Sequence, residues 1–468
     1  MSGHEPSANP QSTAIANFIA NFSYDQLPAE VRERLKLLML DSLGCAIYGA
    51  ALPWCRILRE TLASIDRTDG TSIWGTGDKL SAAHAVLANG TQVQSFELDD
   101  VHRIGVLHVG AVTLPPVFAV AELRPGMSGA DMLRASAIGY EIGPRVGMCM
   151  GPEHIGQGWH SGATLGVFSA AAGAAAALRL DETRALHALG IAGTQSSGLM
   201  AAQYGAMVKR MHAGRAAQSG FYGALLAESG FTGIVDVFES PYGGFCTTFS
   251  RSNDRFDLNE LSKDLGTRFE IMRIALKFYS CVGSNHTTLD AIRSMQAEKP
   301  FGATDISRIR VYGSKVTVDH VGWPYLPQGL TSAQLNLPYC VATLLLEGHA
   351  FVDQFTEEAV ADERRIAVSR KVEVLEDPAI TARGRVYRHM VRVEVELNDG
   401  TRMERTVEAP RGSEVHFATD ADVVEKFKLL ASHAMPASQV DRLVDLMLGL
   451  ERLADVKPLL DNLRVTSN

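Results

Sequence analysis

Apolar residues recur at helical spacing along most of the chain up to about residue 230. Between Ala29 and Ile47, for example, Val31, Leu35 and Leu38 fall on one side of a helix. The helices that this spacing predicts are Thr13–Phe22, Ala29–Ile47, Arg56–Ser64, Ala82–Phe96, Thr113–Leu123, Gly129–Met150, Gly162–Leu178, Glu182–Ala192 and a last segment from Gly198 to about Ser229. Strand patterns are scarce here, so the pattern predicts a compact all-helical domain.

The pattern changes near Leu265. Polar and apolar residues alternate over Ile306–Val318, which predicts a strand. Two β-rich runs within Val386–Pro410 flank Asn398-Asp399-Gly400, a strong hairpin signal. Helical spacing returns at His286–Ala297, Ala333–Leu346, Asp420–Leu430 and Ser438–Leu453. We therefore predict a mainly α protein, with a large all-helical domain at 1–265 and 411–468 and a smaller α+β domain at 266–410.

Composition narrows the classes of partner. The 468 residues carry a net charge of −9, which disfavours nucleic acid, and are 46% hydrophobic and 21% charged, as in soluble globular proteins. The six cysteines never form a C-x-x-C pair, which disfavours zinc and iron–sulfur sites and indicates reduced thiols. The N-terminus resembles neither a signal nor a transit peptide, and the Ser161–Leu180 run is too weakly apolar to span a bilayer. We expect a cytoplasmic protein with no membrane partner.

Basic residues cluster within the small and apolar residues of Gly198–Gly220. Lys209, Arg210, His212 and Arg215 lie within two helical turns, and Lys209 and His212 share a face. Buried cations without matching carboxylates are costly unless an anion meets them, so the stretch predicts a pocket for a negatively charged small molecule. A surface helix with scattered basic residues is the alternative.

An acidic segment between two predicted helices carries the second candidate constellation. It reads ELDDVHRIGVLHVG and contains Glu97, Asp99, Asp100, His102 and His108. Carboxylates next to histidines set the tautomer and the pKa, which favours His108 as a proton donor or acceptor. A metal site and a charged helix N-terminus remain alternatives.

Three further segments contain candidate residues, and for each a packing role is equally compatible with the sequence. His160 precedes the Ala-rich helix, where free backbone N–H groups favour anions. Lys277 and His286 flank a predicted loop, and His320 lies in the segment DHVGWPY.

The motifs of several large enzyme classes are absent from the sequence. It contains no G-x-G-x-x-G after a strand, no G-x-x-x-x-G-K-[ST], no G-x-S-x-G and no H-E-x-x-H. Histidines and lysines without a cofactor motif are typical of proton chemistry on a polycarboxylate, in which cations hold the carboxylates and a general acid or base serves the reacting carbon.

At these residues the chain resembles the MmgE/PrpD (2-methylcitrate dehydratase) family over nearly its whole length. The resemblance is carried by LKLLMLDSLGCAIYGA, ELDDVH…LHVGAVTLPPVFAVAE, GYEIGPRVG, GWHSGATLGVFSAAAGAAAALRL and ALGIAGTQSSGLMAAQYGAMVKRMHAGRAAQSG. It implies an all-α domain built from both termini, an α+β lid domain, a homodimer and no cofactor or metal. Within the family, the motifs are most similar to those of the fungal cis-aconitate decarboxylases.

The resemblance also implies a reaction and a set of site residues. The expected reaction is the decarboxylation of cis-aconitate to itaconate, and dehydration of a 2-methylcitrate-like substrate or epimerisation of an imino diacid are the alternatives within the family. A metal-dependent hydrolase and a non-catalytic carboxylate-binding protein are the alternatives outside it. Val101 stands where the animal decarboxylases have threonine. The predicted catalytic residues are His108, His160 and Lys209, and the predicted substrate-binding residues are Glu97, Asp99, His212, Lys277, His286 and His320.

Overall fold

The computed structural model describes residues 10–66, 68–151 and 153–465. The outermost residues of the predicted helical domain, 1–9 and 466–468, therefore lie outside the described part of the chain. The mainly α fold class is confirmed, because helices make up most of the described residues and the strands are few.

One set of helices packs around a hydrophobic cluster that we call the helical core. It draws its buried residues from 15–276 and 418–463. Its helix Gly166–Ala177 packs against Val109–Leu123, Gly129–Met150 and Val208–Glu228. A Cβ on Gly166 would lie 2.6 Å from a methyl group of Val112, so small residues allow this close approach. The helices are Pro10–Asn21, Ala29–Gly49, Pro53–Ile65, Ala82–Val93, Val109–Leu123, Gly129–Met150, Glu153–Gly156, Ser161–Thr164, Gly166–Ala177, Glu182–Gly193, Val208–Glu228, Phe245–Ser250, Asn259–Ser262, Asp420–Ala431, Ala437–Leu448 and Lys457–Asn462.

A second cluster, the α+β core, draws most of its buried residues from 279–407. Its four-stranded sheet has the spatial order Val372–Glu376, Ile306–Gly313, Val391–Leu397, Arg402–Val407, in which the first two strands are parallel and the other pairs antiparallel. Alternate residues of Val391–Leu397 are buried against the helices, as the sequence pattern predicts for a half-buried strand. The helices of this unit are Gly283–Glu298, Lys315–Val321, Leu330–Leu335, Leu337–Glu347, Glu357–Val360, Glu363–Ser369 and Pro378–Ala382.

The chain passes twice between the two cores. Leu276 belongs to the helical core and Tyr279 to the α+β core, and the chain returns between Val407 and Ala418. The two crossings touch, since the Leu276 backbone N–H donates to the Gly412 carbonyl at 2.9 Å. The predicted domain boundaries at 265/266 and 410/411 fall close to these crossings and stay a prediction.

The main differences from the predicted elements concern one strand, one helix and the sheet. The strand predicted over Ile306–Val318 ends at Gly313, because Ser314 accepts a hydrogen bond from the Thr317 N–H and starts the helix Lys315–Val321. The continuous helix predicted from Gly198 is broken, since a 3₁₀ turn at Met200–Tyr204 precedes Gly205, whose φ is +115°.

The third difference concerns the sheet. The strand Val372–Glu376 was not predicted, because its alternation is too short to stand out from the surrounding polar residues. The hairpin signal at Asn398-Asp399-Gly400 is confirmed, but its first strand begins at Val391, after a 3₁₀ turn at Arg385–Tyr387.

Within the described residues, no single helix is both long and apolar enough to cross a membrane. The pair Ala29–Gly49 and Pro53–Ile65 reaches that length and composition only together, across an 80° bend.

Candidate active site

A cavity of about 520 Å³ lies where residues of the two cores meet. Six of the nine predicted site residues line it, namely Glu97, His108, His160, Lys209, Lys277 and His320. Gln203, which precedes Lys209 in the basic stretch, also lines it, and the structure adds several polar lining residues that the sequence did not single out: Arg103, Ser161, Ser284, Arg388 and His389. Among the described lining residues, Glu97 is the one carboxylate.

The acidic segment reaches the cavity because its backbone is fixed on both sides. Val101 and His102 pair antiparallel with Ala275 and Ile274, which brings the segment next to Lys277. His102 is fully buried and lies 3.1 Å from Glu270, so its ring supports the segment and does not face the cavity. His102 Nδ1 also accepts from the Gly105 N–H at 2.9 Å.

His108 directly precedes the helix Val109–Leu123 and lines the cavity. Its Nδ1 lies 2.9 Å from Asp99 Oδ2, and Asp99 is fully buried. The two atoms are at ion-pair distance without forming a hydrogen bond. The predicted substrate-binding residue Asp99 is therefore a buried negative charge beside His108 and is not part of the cavity lining.

Further buried charges lie behind Asp99. Lys426, from the helix Asp420–Ala431, lies 2.6 Å from Asp41 and donates to the Leu98 carbonyl at 2.8 Å. Asp100 accepts a hydrogen bond from the Gly110 N–H at 3.0 Å. Burial raises the pKa of Asp100 to about 7. The hydrogen bond from Gly110 stabilises the carboxylate and lowers this pKa, but by less than burial raises it.

The raised pKa of Asp100 predicts a pH-dependent contribution to stability. Because the folded-state pKa of about 7 exceeds the unfolded value of 3.8, folding takes up a proton between these values. The free energy of unfolding therefore falls as the pH rises from about 4 to about 7. In the unmodified protein, Asp100 is expected to lower the free energy of unfolding by about 3 kcal/mol between pH 5 and 8. The variant Asp100→Asn can still accept the hydrogen bond from the Gly110 N–H, and this decrease is expected to be absent from it. Urea unfolding at the two pH values measures this.

The matched control is Asp399→Asn, on the exposed hairpin turn. The pKa of Asp399 is lowered to about 2 by hydrogen bonds from Thr401 and Lys299, so this group does not titrate between pH 5 and 8. If Asp100→Asn and Asp399→Asn follow the same pH dependence as the unmodified protein, the assignment to Asp100 is wrong.

Three cations surround Glu97 on the helical side of the cavity. Lys209 Nζ contacts one carboxylate oxygen, Arg210 lies 2.9 Å from the same oxygen, and Lys277 lies 3.5 Å from the other. Burial alone would raise the pKa of Glu97, but these cations hold it well below its ordinary value. Burial lowers the pKa of Lys209 despite the contact with Glu97. Glu97 itself has a φ of +57°, a strained conformation that is typical of functional residues.

His160 and His212 form a pair at the edge of this cluster. Their ring centroids are 4.8 Å apart, and His160 lines the cavity while His212 lies behind it. Burial, and next the charge of Lys209, lower the pKa of both rings, that of His160 well below its ordinary value. At neutral pH His160 is therefore an uncharged hydrogen-bonding group.

The basic stretch divides into distinct roles along its helix. Lys209 lines the cavity, whereas Arg210 donates to Gln334 at 3.0 Å and so ties the helical core to the α+β core. Arg215, which the sequence grouped with them, is exposed and contacts Gln218. The interior position of the stretch is confirmed for Lys209, Arg210 and His212 and is wrong for Arg215.

His286 lies away from the cavity, among the packed residues of the α+β core. Its Nε2 is 3.1 Å from the Cys281 carbonyl, and its ring packs edge-on against Tyr279. The spacing to Lys277 suggested a shared wall, but the helix that begins at Gly283 turns His286 inward. The substrate-binding role predicted for His286 therefore has no support in this geometry.

The described residues contain no group of three or more His, Cys, Asp or Glu side chains arranged to hold a metal ion.

Comparison with known proteins identifies the family of the chain. Residues 13–257 match the model of the MmgE/PrpD N-terminal domain, and residues 279–452 match that of the MmgE/PrpD C-terminal domain. The chain belongs to the MmgE/PrpD family. The resemblance that the sequence motifs indicated is thus confirmed.

Curated relatives of this MmgE/PrpD chain cover nearly its full length. The cis-aconitate decarboxylase-like protein oryM of Aspergillus oryzae is 34% identical over 463 residues, 95% of each chain. The cis-aconitate decarboxylase of Aspergillus terreus is 33% identical over 473 residues, 96% of this chain and 95% of the relative. The 2-methylcitrate dehydratase of Escherichia coli is 21% identical over 480 residues, 96% of this chain and 95% of the relative. The chain is therefore more similar to the decarboxylases than to this dehydratase.

Proposed function

We propose that this protein is a carboxy-lyase that decarboxylates cis-aconitate to itaconate without a cofactor. The observation that carries the proposal is the charge of the cavity, whose described lining contains four cationic residues, Lys209, Lys277, Arg103 and Arg388, but one carboxylate, Glu97. His108 lines the same cavity, 2.9 Å from the buried Asp99. An excess of cations suits a substrate with several carboxylates. The fungal relatives support decarboxylation over dehydration.

The chemistry that this site serves needs two electron shifts and one proton. Loss of carbon dioxide from the CH₂–COO⁻ arm breaks one C–C bond, and its electron pair forms the new CH₂=C double bond. The electron pair of the old double bond moves to the carbon that bears the other terminal carboxylate. This carbon then takes a proton. Lys209 and Lys277 hold this terminal carboxylate, where negative charge increases during the reaction, and His108 donates the proton.

His160 completes the proposed mechanism as a neutral hydrogen-bond donor to substrate, because its pKa is held well below its ordinary value and the uncharged ring keeps one N–H. His212 supports the ring of His160 from behind. We further propose a homodimer in the cytoplasm, as the family resemblance implies; light scattering coupled to gel filtration tests the dimer.

The test is turnover of cis-aconitate by the purified protein, followed by ¹H NMR in deuterated water. We expect carbon dioxide release and itaconate that carries one deuterium on its saturated CH₂ carbon. Activity is expected to survive dialysis against EDTA, and loss that zinc or magnesium restores would instead support a metal-dependent enzyme.

Citrate, 2-methylcitrate and iminodisuccinate serve as comparison substrates. Water loss from 2-methylcitrate without carbon dioxide release from cis-aconitate would support a dehydratase, and exchange at one carbon of iminodisuccinate alone would support an epimerase. No turnover of cis-aconitate at high protein concentration would overturn the proposed function.

A further inference from the structure

Residues mainly from the α+β core form a basic wall of the cavity, which we call the outer wall and define as Arg103, His320, Arg388 and His389. Arg103 comes from the acidic segment of the helical side, and the other three come from the α+β core. His389 is 7% exposed, and its Nδ1 has no hydrogen-bond partner among the described residues. His389 thus lines the cavity and carries a buried ring nitrogen for which the described residues supply no partner.

Backbone contacts hold the outer wall together. Ser314 and Thr317 both donate to the Arg388 carbonyl, at 2.6 and 2.9 Å, and they lie in the first turn of the helix that carries His320. Thr287 donates to the His389 carbonyl at 2.7 Å. The positions of His320, Arg388 and His389 are therefore set by one rigid unit.

The outer wall also joins the two cores through two arginines. Arg388 donates to the Arg103 carbonyl at 3.2 Å, and Arg103 donates to the Val386 carbonyl at 3.0 Å. Both arginines line the cavity, and Glu414 lies 3.5 Å from Arg103. Two guanidinium groups at one wall favour an anion between them and the cavity.

His320 links this wall to the cluster around Glu97. Lys209, His320 and Arg388 line the same cavity of about 520 Å³. A substrate that fills this cavity and contacts Lys209 with one carboxylate therefore reaches the wall that holds His320 and Arg388 with another group.

Resting on the proposed function, we propose that Arg388 and His320 form a second carboxylate subsite that binds the central carboxylate of the tricarboxylate substrate. A cation on the leaving carboxylate would stabilise the ground state and oppose loss of carbon dioxide, so Arg388 holds a carboxylate that the product keeps. In the proposed function, Lys209 and Lys277 bind the terminal carboxylate that the product keeps. The central carboxylate is therefore the one that Arg388 binds. The leaving arm then faces apolar lining residues such as Val316 and Leu335.

Binding of two unreactive ligands tests the subsite independently of turnover. Tricarballylate has all three carboxylates on a saturated chain, and glutarate lacks only the central one. Isothermal titration calorimetry measures the affinity for each ligand. Arg388→Gln is expected to weaken binding of tricarballylate about tenfold to hundredfold, as loss of one charge-assisted contact predicts, and binding of glutarate less than threefold. An equal loss of affinity for both ligands, or no loss of affinity for either, would overturn the proposal.

Two further variants separate this outcome from misfolding. Arg383→Gln, in the same segment but exposed and 2.9 Å from Glu408, is expected to bind both ligands as the unmodified protein does. Arg388→Lys is expected to recover part of the tricarballylate preference, since it keeps the charge and loses the planar contact. If cis-aconitate is not turned over and the ligand preference still depends on Arg388, the proposed reaction fails and the subsite stands.

Discussion

His108→Ala is expected to abolish carbon dioxide release from cis-aconitate, lowering kcat about 10²- to 10⁴-fold. His108 lines the cavity, and its Nδ1 lies 2.9 Å from the fully buried Asp99, a negative charge that favours the protonated ring. His160 is a poorer proton donor, because burial and the charge of Lys209 hold its pKa well below its ordinary value. Steady-state kinetics and deuterium incorporation into itaconate measure the effect.

The control for this variant is His433→Ala. His433 is exposed and 3.0 Å from Asp353, so its loss is expected to leave kcat unchanged. Tricarballylate affinity of His108→Ala is expected to stay within tenfold of the unmodified protein, since the lysines and Arg388 carry the binding. Retention of more than a tenth of kcat would show that the proton comes from another group.

Glu97→Gln is expected to destabilise the protein by about 3–5 kcal/mol, because it leaves Lys209, Arg210 and Lys277 as buried cations without a carboxylate. The same change removes a negative charge that competes with substrate for Lys209. Tricarballylate is therefore expected to raise the unfolding temperature of Glu97→Gln more than that of the unmodified protein. Thermal unfolding with and without the ligand measures both effects.

Glu408→Gln is the matched control for the charge change. Glu408 is an exposed partner of Arg383, so its replacement is expected to change neither stability nor the effect of tricarballylate. If tricarballylate raises the unfolding temperature of Glu97→Gln and of the unmodified protein equally, Glu97 does not compete with the ligand for Lys209.

The sequence predicted the helical part of the fold well, because its periodic apolar pattern is long and repeated. It predicted the α+β part less well. The strand Val372–Glu376 is held by pairing with Ile306–Gly313, a partner more than fifty residues away that local alternation does not reveal. The helix Lys315–Val321 was hidden within a strand-like pattern, although Ser314 and Thr317 carry an N-cap signal.

The same limit applies to the candidate site. Glu97, His108 and Lys209 could be selected because each lies in a distinctive local motif. Arg388 and His389 could not, since their segment, VYRHM, looks like the start of a strand. Their nearness to Arg103 arises only when the two cores pack together, which no local spacing encodes.

The two touching chain crossings carry Lys277 between the cores, since Leu276 belongs to one core and Tyr279 to the other. From this backbone position Lys277 reaches Glu97, 3.5 Å away on the helical side. Lys277 is thus the cation of the Glu97 cluster whose placement depends on how the two cores pack against each other.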